Sequence, residues 1–83
     1  MKQLSKNEAT MAAVLIFESY DKYDPFETLD VKLEAAMSVY ESLRGGDAGW
    51  VMDNLRYSIE QADEDDDVSD LVDILEYLEE VTA

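Results

Sequence analysis

Apolar residues recur along this chain at steps of three and four, and polar or glycine-rich punctuation interrupts them three times. Steps of three and four put side chains on one face of a helix, whereas a half-buried strand alternates in twos. Ser5-Lys6-Asn7-Glu8 has the form of a capping box, with a hydroxyl at the helix start and a Glu three residues later to reach back. Leu4 stands where a hydrophobic staple would. A helix is therefore predicted from about Lys6 to Tyr20. Taken alone, Val14-Leu15-Ile16-Phe17 fits a buried strand, but the Ala- and Met-containing segment around it favours helix.

Asp24-Pro25-Phe26-Glu27 is a second start signal: Asp caps, Pro takes the first helical position and Glu the third. Phe26, Leu29, Leu33, Ala36, Met37, Tyr40 and Leu43 then describe one apolar face, which Asp30-Val31 could break into a short turn and a longer helix. Gly45-Gly46 closes this element, and Arg44 in its last turn suits the helix dipole. Asp47 is the next candidate cap, ahead of a stripe formed by Ala48, Val51, Met52, Leu55, Ile59 and Ala62. After the polar stretch Asp63 to Asp67, the last helix carries Val68, Leu71, Val72, Leu75 and Leu78 on its apolar side, with Ile74 and Val81 at the margins. The connections are short, so neighbouring helices are expected to be antiparallel. The expected fold is all-α: one domain over 1–83, a small compact bundle of about four helices.

The longest uninterrupted apolar run, Met11 to Phe17, has seven residues. A bilayer span takes about 20. The run also lies too far in, after Lys2, Lys6 and Glu8, to read as a secretory signal. No membrane association is expected, and the expected compartment is the cytoplasm. A helix that is apolar all round is either the most buried of a bundle or carries a second apolar face for self-association. The second case makes a homodimer a possible assembly.

Composition removes most catalytic chemistry. The chain has no Cys and no His. Disulfides, thiolate metal sites, thiol nucleophiles and Ser–His or Cys–His catalysis are excluded with them. Asp63, Asp65 and Asp67 alternate as in a calcium loop, but the positions that should hold Gly and Glu hold Val68 and Ile74. Paired carboxylates can run glycosidase chemistry, for which 83 residues leave little room for a cleft. Gly45-Gly46-Asp47-Ala48-Gly49 lacks the Lys-Ser/Thr of a phosphate-binding loop. Small acidic helical chains also include the acyl carrier proteins, but Val68-Ser69-Asp70-Leu71 has Ser before Asp and departs from their Asp-Ser-Leu attachment motif. No cofactor, no metal and no enzymatic activity are expected.

Charge is the informative feature. Asp and Glu number 21 against 6 Lys and Arg, a formal net charge of −15. Leu, Ile, Val and Phe number 21 of 83, above the roughly 20% floor below which so charged a chain stays disordered. Residues 1–59 hold 10 acids and 6 bases, a net of −4, while residues 60–83 hold 11 acids and no base, a net of −11. If the chain is helical from Asp66 to Glu80, seven carboxylates fall within roughly 21 Å, about one per 3 Å. A DNA strand carries one phosphate per about 3.4 Å. An ordinary solvated face mixes signs to gain support from pairs four residues apart. Here Lys and Arg are absent for the 27 residues after Arg56.

In size, charge and helix content, and in lacking His and Cys, the chain resembles the small acidic DNA-mimic inhibitors of phages and mobile elements, of the anti-restriction and anti-CRISPR type. The resemblance is one of class. It implies a non-enzymatic inhibitor acting in the host cytoplasm, whose carboxylates occupy the Lys- and Arg-rich surface of a basic nucleic-acid-binding protein without contacting nucleic acid. The candidate contact residues are Asp63, Asp65, Asp66, Asp67, Asp70, Asp73, Glu76 and Glu80, with Tyr77 in support. Tyr20, Tyr23 and Tyr57 are further candidates for interface contact area, while Trp50, off the stripe of Val51, Leu55 and Ile59, is either a lid over the core or a partner contact. The alternative is a helical adaptor or regulatory protein that grips its partner through apolar surface.

Overall fold

The computed structural model describes residues 3–23 and 28–83. They form four helices in chain order: α1 (Lys6–Tyr23), α2 (Leu29–Arg44), α3 (Ala48–Gln61) and α4 (Ser69–Thr82). Among the described residues there is no strand. Val14-Leu15-Ile16-Phe17 lies inside α1, which runs three residues past its expected end.

The capping box is made as expected. The Ser5 N–H donates to Glu8 Oε1 at 2.9 Å, and the Glu8 N–H donates to Ser5 Oγ at 3.2 Å. Leu4 is fully buried, so the residue before the cap is anchored in the core. Its N–H donates to the Leu43 carbonyl at 3.2 Å, and its own carbonyl accepts from Arg44 Nη1 at 2.9 Å. The start of α1 is thereby tied to the end of α2.

The start signal at Asp24 to Glu27 lies outside the described residues. Within them, Thr28 caps α2 through its Oγ1, which accepts from the Val31 N–H at 3.3 Å, and the helix continues unbroken through Asp30-Val31. Its end has Gly46 at φ 90°. The Asp47 N–H reaches the Ser42 carbonyl at 2.8 Å and the Gly46 N–H reaches Leu43 at 3.4 Å, the paired bonds of a Schellman ending. Asp47 begins α3 through its backbone: its carbonyl accepts from Trp50 and Val51, and its side chain makes no capping bond.

Each helix packs on two others. α1 lies against α2 and α4, and α3 against the same two, so the bundle is a ring with α1 opposite α3. The core comprises Leu4, Ala9, Ala12 and Ile16, then Leu43, then Ala48, Val51, Met52 and Leu55, then Ile74 and Leu78. Two apolar faces are rotated from their expected positions. On α4 the centre is Ile74 and Leu78, while Leu71, Leu75 and Val81 flank it. On α2 the inward residues are Lys32, Ala36 and Leu43, with Val39 and Tyr40 half-buried, whereas Leu29, Leu33 and Met37 face solvent. In both helices apolar residues cover more than half of the circumference, so the spacing alone does not select the buried side.

Candidate functional site

The acidic residues divide between two local structures. Asp63 to Asp67 form the turn between α3 and α4, and the helix begins only at Ser69. The Asp66 N–H donates to the Asp63 carbonyl at 3.0 Å, and the Asp63 N–H returns a bond to Asp66 Oδ2 at 3.0 Å. Asp67 Oδ1 accepts from both the N–H and the Oγ of Ser69, at 3.0 and 2.6 Å. Two of the candidate carboxylates therefore hold the turn and place a negative charge at the start of α4, where the dipole favours it. The expected helical array from Asp66 is shortened accordingly. Its helical part runs from Asp70 to Glu80, about 15 Å, and still carries one carboxylate per about 3 Å.

Along α4, Asp73, Glu76, Glu79 and Glu80 are exposed, and Asp70 is half-buried at their flank. Asp63, Glu64, Asp65, Asp66 and Asp67 are exposed in the turn. The ion pairs Lys32–Asp21 and Arg56–Asp53 lie on other helices. The last turn of α4 holds no base, so Glu79 and Glu80 sit against the negative end of the dipole. Helix stability does not account for acids at that end.

Tyr77, the expected supporting contact, lies on α4 between Asp73 and Glu80. It is half-buried, and burial together with the charges of Glu8 and Glu80 holds its hydroxyl pKa above the ordinary value of 10.0. Glu8 belongs to α1, so Tyr77 stands at the α1 edge of the acidic stripe, one turn from Asp73 and from Glu80.

A second surface adjoins the acidic turn. Trp50, 55% exposed, and Tyr57 stand on α3 along a concavity whose opposite wall is Ala35, Ser38 and Val39 of α2. Tyr20 of α1 reaches the same concavity, and Asp66 and Asp67 form its lip. Asn54 Nδ2 donates to the Trp50 carbonyl at 2.8 Å, across one turn of α3. Trp50 is thus surface rather than core, as its place off the α3 stripe allows. That it shares a concavity with Asp66 depends on how α3 meets the turn, and no sequence spacing shows it. Among the described residues, no group of three or more acids is disposed to hold a metal ion, and no helix is long and apolar enough to cross a membrane. No protein-family model, no curated protein and no solved structure matches the chain.

Proposed function

We propose that this protein is a non-enzymatic inhibitor that sets a carboxylate-rich surface against the basic, nucleic-acid-binding face of a target protein, in the manner of anti-restriction and anti-CRISPR DNA mimics. The observation that carries the proposal is the exposed row Asp73, Glu76 and Glu80 continuing from the exposed turn Asp63 to Asp67, in a segment without Lys or Arg. Carboxylates spaced like phosphates offer a basic surface the partners that a nucleic-acid strand would. Asp66 and Asp67, held by the turn, are oriented before binding, which lowers the ordering cost of a contact. Trp50 and Tyr57 add amphipathic contact area along the concavity that Asp66 and Asp67 also line.

The test is neutralisation with competition. Changing Asp73→Asn, Glu76→Gln and Glu80→Gln leaves Ile74 and Leu78 in place, so the bundle stays folded. Removing each charge-assisted hydrogen bond to the target is expected to cost roughly 1.5–3 kcal/mol where the interface is dry, and under about 1 kcal/mol at a wet rim. Against a basic nuclease or CRISPR effector, three such bonds in a dry interface correspond to a fall in affinity of at least about a thousandfold. DNA or RNA should displace the parent protein from that target. Unchanged affinity of the triple variant, without such displacement, refutes the proposal.

A second reading, a helical adaptor with an apolar grip, draws on the solvent-facing Leu29, Leu33 and Met37. Salt separates the two: a carboxylate interface weakens steeply with ionic strength, and an apolar one does not.

A further inference from the structure

Aromatic rings, carboxylates and an apolar floor share the concavity that runs along α3. Its volume is about 780 Å³, within the range of a site for a small group. Trp50 and Tyr57 stand seven residues apart on α3, two turns along one face. Val51, Leu55 and Leu71, from the core and its edge, supply apolar lining. Asp66 and Asp67 of the turn line it as well, and so do Gln61 and Ala62 at the C-terminal end of α3. That end is the negative pole of the helix dipole, and the last turn of α3 holds no base. Among the described residues that line the concavity there is no Lys or Arg. Arg56, next to Tyr57 in the chain, is paired with Asp53 at 3.1 Å instead.

Resting on the reading of a basic partner given above, we infer that the concavity receives one arginine side chain of that partner, with its guanidinium against the rings of Trp50 and Tyr57 and its charge answered by Asp66 and Asp67. Charge complementarity selects this occupant. An anion would meet two carboxylates and a helix C-terminus, and a neutral apolar group would leave those charges unanswered. A metal ion lacks ligands, since no group of three or more acids among the described residues is disposed to hold one. A cation on an apolar stem satisfies both the carboxylates and the floor. Of the two cationic side chains, Arg fits better than Lys. Its guanidinium is planar, stacks on aromatic faces, is less strongly hydrated than an ammonium and offers carboxylates a fork of donors. The carboxylates are placed before it arrives, because Asp66 Oδ2 accepts from the Asp63 N–H and Asp67 Oδ1 accepts from Ser69. The open side also matters. With Trp50 55% and Tyr57 63% exposed, the concavity does not enclose a free small molecule in the way a ligand site does. A side chain projecting from a larger surface closes it with that surface.

Trp50 is the single Trp of the chain, so tryptophan fluorescence reports on this site directly. The full chain is titrated in moderate salt with three capped tripeptides: Gly-Arg-Gly, Gly-Lys-Gly and Gly-citrulline-Gly. The arginine peptide should give a saturable change. The lysine peptide has the same charge, so diffuse attraction to the acidic chain is equal, yet it should bind at least about threefold more weakly. The citrulline peptide, a neutral isostere, should give no change. Tyr57→Leu should weaken the arginine peptide by about two- to fivefold. Asp66→Asn with Asp67→Asn keeps an acceptor oxygen for each turn bond and should weaken it by about three- to tenfold. Glu18→Gln with Glu41→Gln removes the same two charges from exposed positions that do not line the concavity, and should leave binding unchanged. Circular dichroism should remain helical in all three variants. The inference is overturned by the lack of a saturable change with the arginine peptide, by equal binding of the arginine and lysine peptides, or by equal losses in the two charge variants. None of these outcomes touches the α4 row, whose test is displacement by nucleic acid. Arginine-selective binding beside a target that nucleic acid does not displace would support the arginine site and refute the mimic reading alone.

Discussion

Tyr77 faces the α1 side of α4, where burial and the charges of Glu8 and Glu80 disfavour its ionised form. A pKa raised in the folded state means that the unfolded chain loses this proton first as pH climbs. Tyr77 therefore leaves stability untouched below about pH 10 and lowers it as pH rises through the folded-state pKa. Alkaline unfolding followed by circular dichroism should be partly relieved in Tyr77→Phe, which has no proton to lose. Lys32 also owes its setting to tertiary packing. It is 8% exposed, inside the α1–α2 contact, and its Nζ donates to Asp21 Oδ1. Replacing Lys32 with Met keeps length and removes a buried charge, so the effect on stability should be near neutral. Asp21→Asn leaves the ammonium without its carboxylate. Because Asp21 is itself largely in water, the cost should be about 1 kcal/mol rather than the several of a fully buried pair. Denaturant midpoints of the two variants should differ in that order.

At the scale of the element, helix boundaries rest on local chemistry. Ser5→Ala removes the acceptor for the Glu8 N–H and should cost about 1 kcal/mol. Gly46→Ala forces a Cβ into the left-handed region at φ 90° and should cost about 1–2 kcal/mol. Gly45 has an ordinary φ of −83°, but an added Cβ would lie 3.2 Å from the Glu41 carbonyl oxygen. Gly45→Ala should be the milder change, since only a small shift is needed there. The α4 face separates Ile74 from Val72. Ile74→Ala opens a cavity in the core and should lose about 2–5 kcal/mol, while half-buried Val72→Ala should lose less than half as much. Thermal melts of these two variants report which side of α4 faces inward.

For the whole molecule, a net charge of −15 on 83 residues works against compactness. Moderate NaCl screens that repulsion, so the melting midpoint should rise between low and physiological ionic strength. Target binding should respond in the opposite direction and weaken with salt. A protein whose fold firms and whose grip loosens over the same salt range would carry its charge for the partner and not for the fold. A midpoint indifferent to salt would mean that the acidic side chains stand too far apart to repel measurably.

The four helices, the capping box at Ser5 and Glu8, the glycine ending of α2 and the α3 stripe were legible in the chain, because each depends on residues within a few positions of one another. So was the concentration of acids after Glu60, which is a matter of counting. Three features depended on packing. The buried sides of α2 and α4 were ambiguous, because apolar residues occupy too much of each circumference for spacing to choose; contact with neighbouring helices placed Lys32, Ala36 and Ile74 inward and left Leu29, Leu33 and Met37 outside. The division of the carboxylates between turn and helix followed from Asp66 and Asp67 binding backbone and Ser69 hydroxyl groups, which competes with helix at those positions. The concavity that Trp50 and Tyr57 share with Asp66 required the three-dimensional path of α3 into the turn. Local hydrogen bonding and periodicity are written along the chain, whereas the choice of buried side is made between helices, by the surfaces that fit.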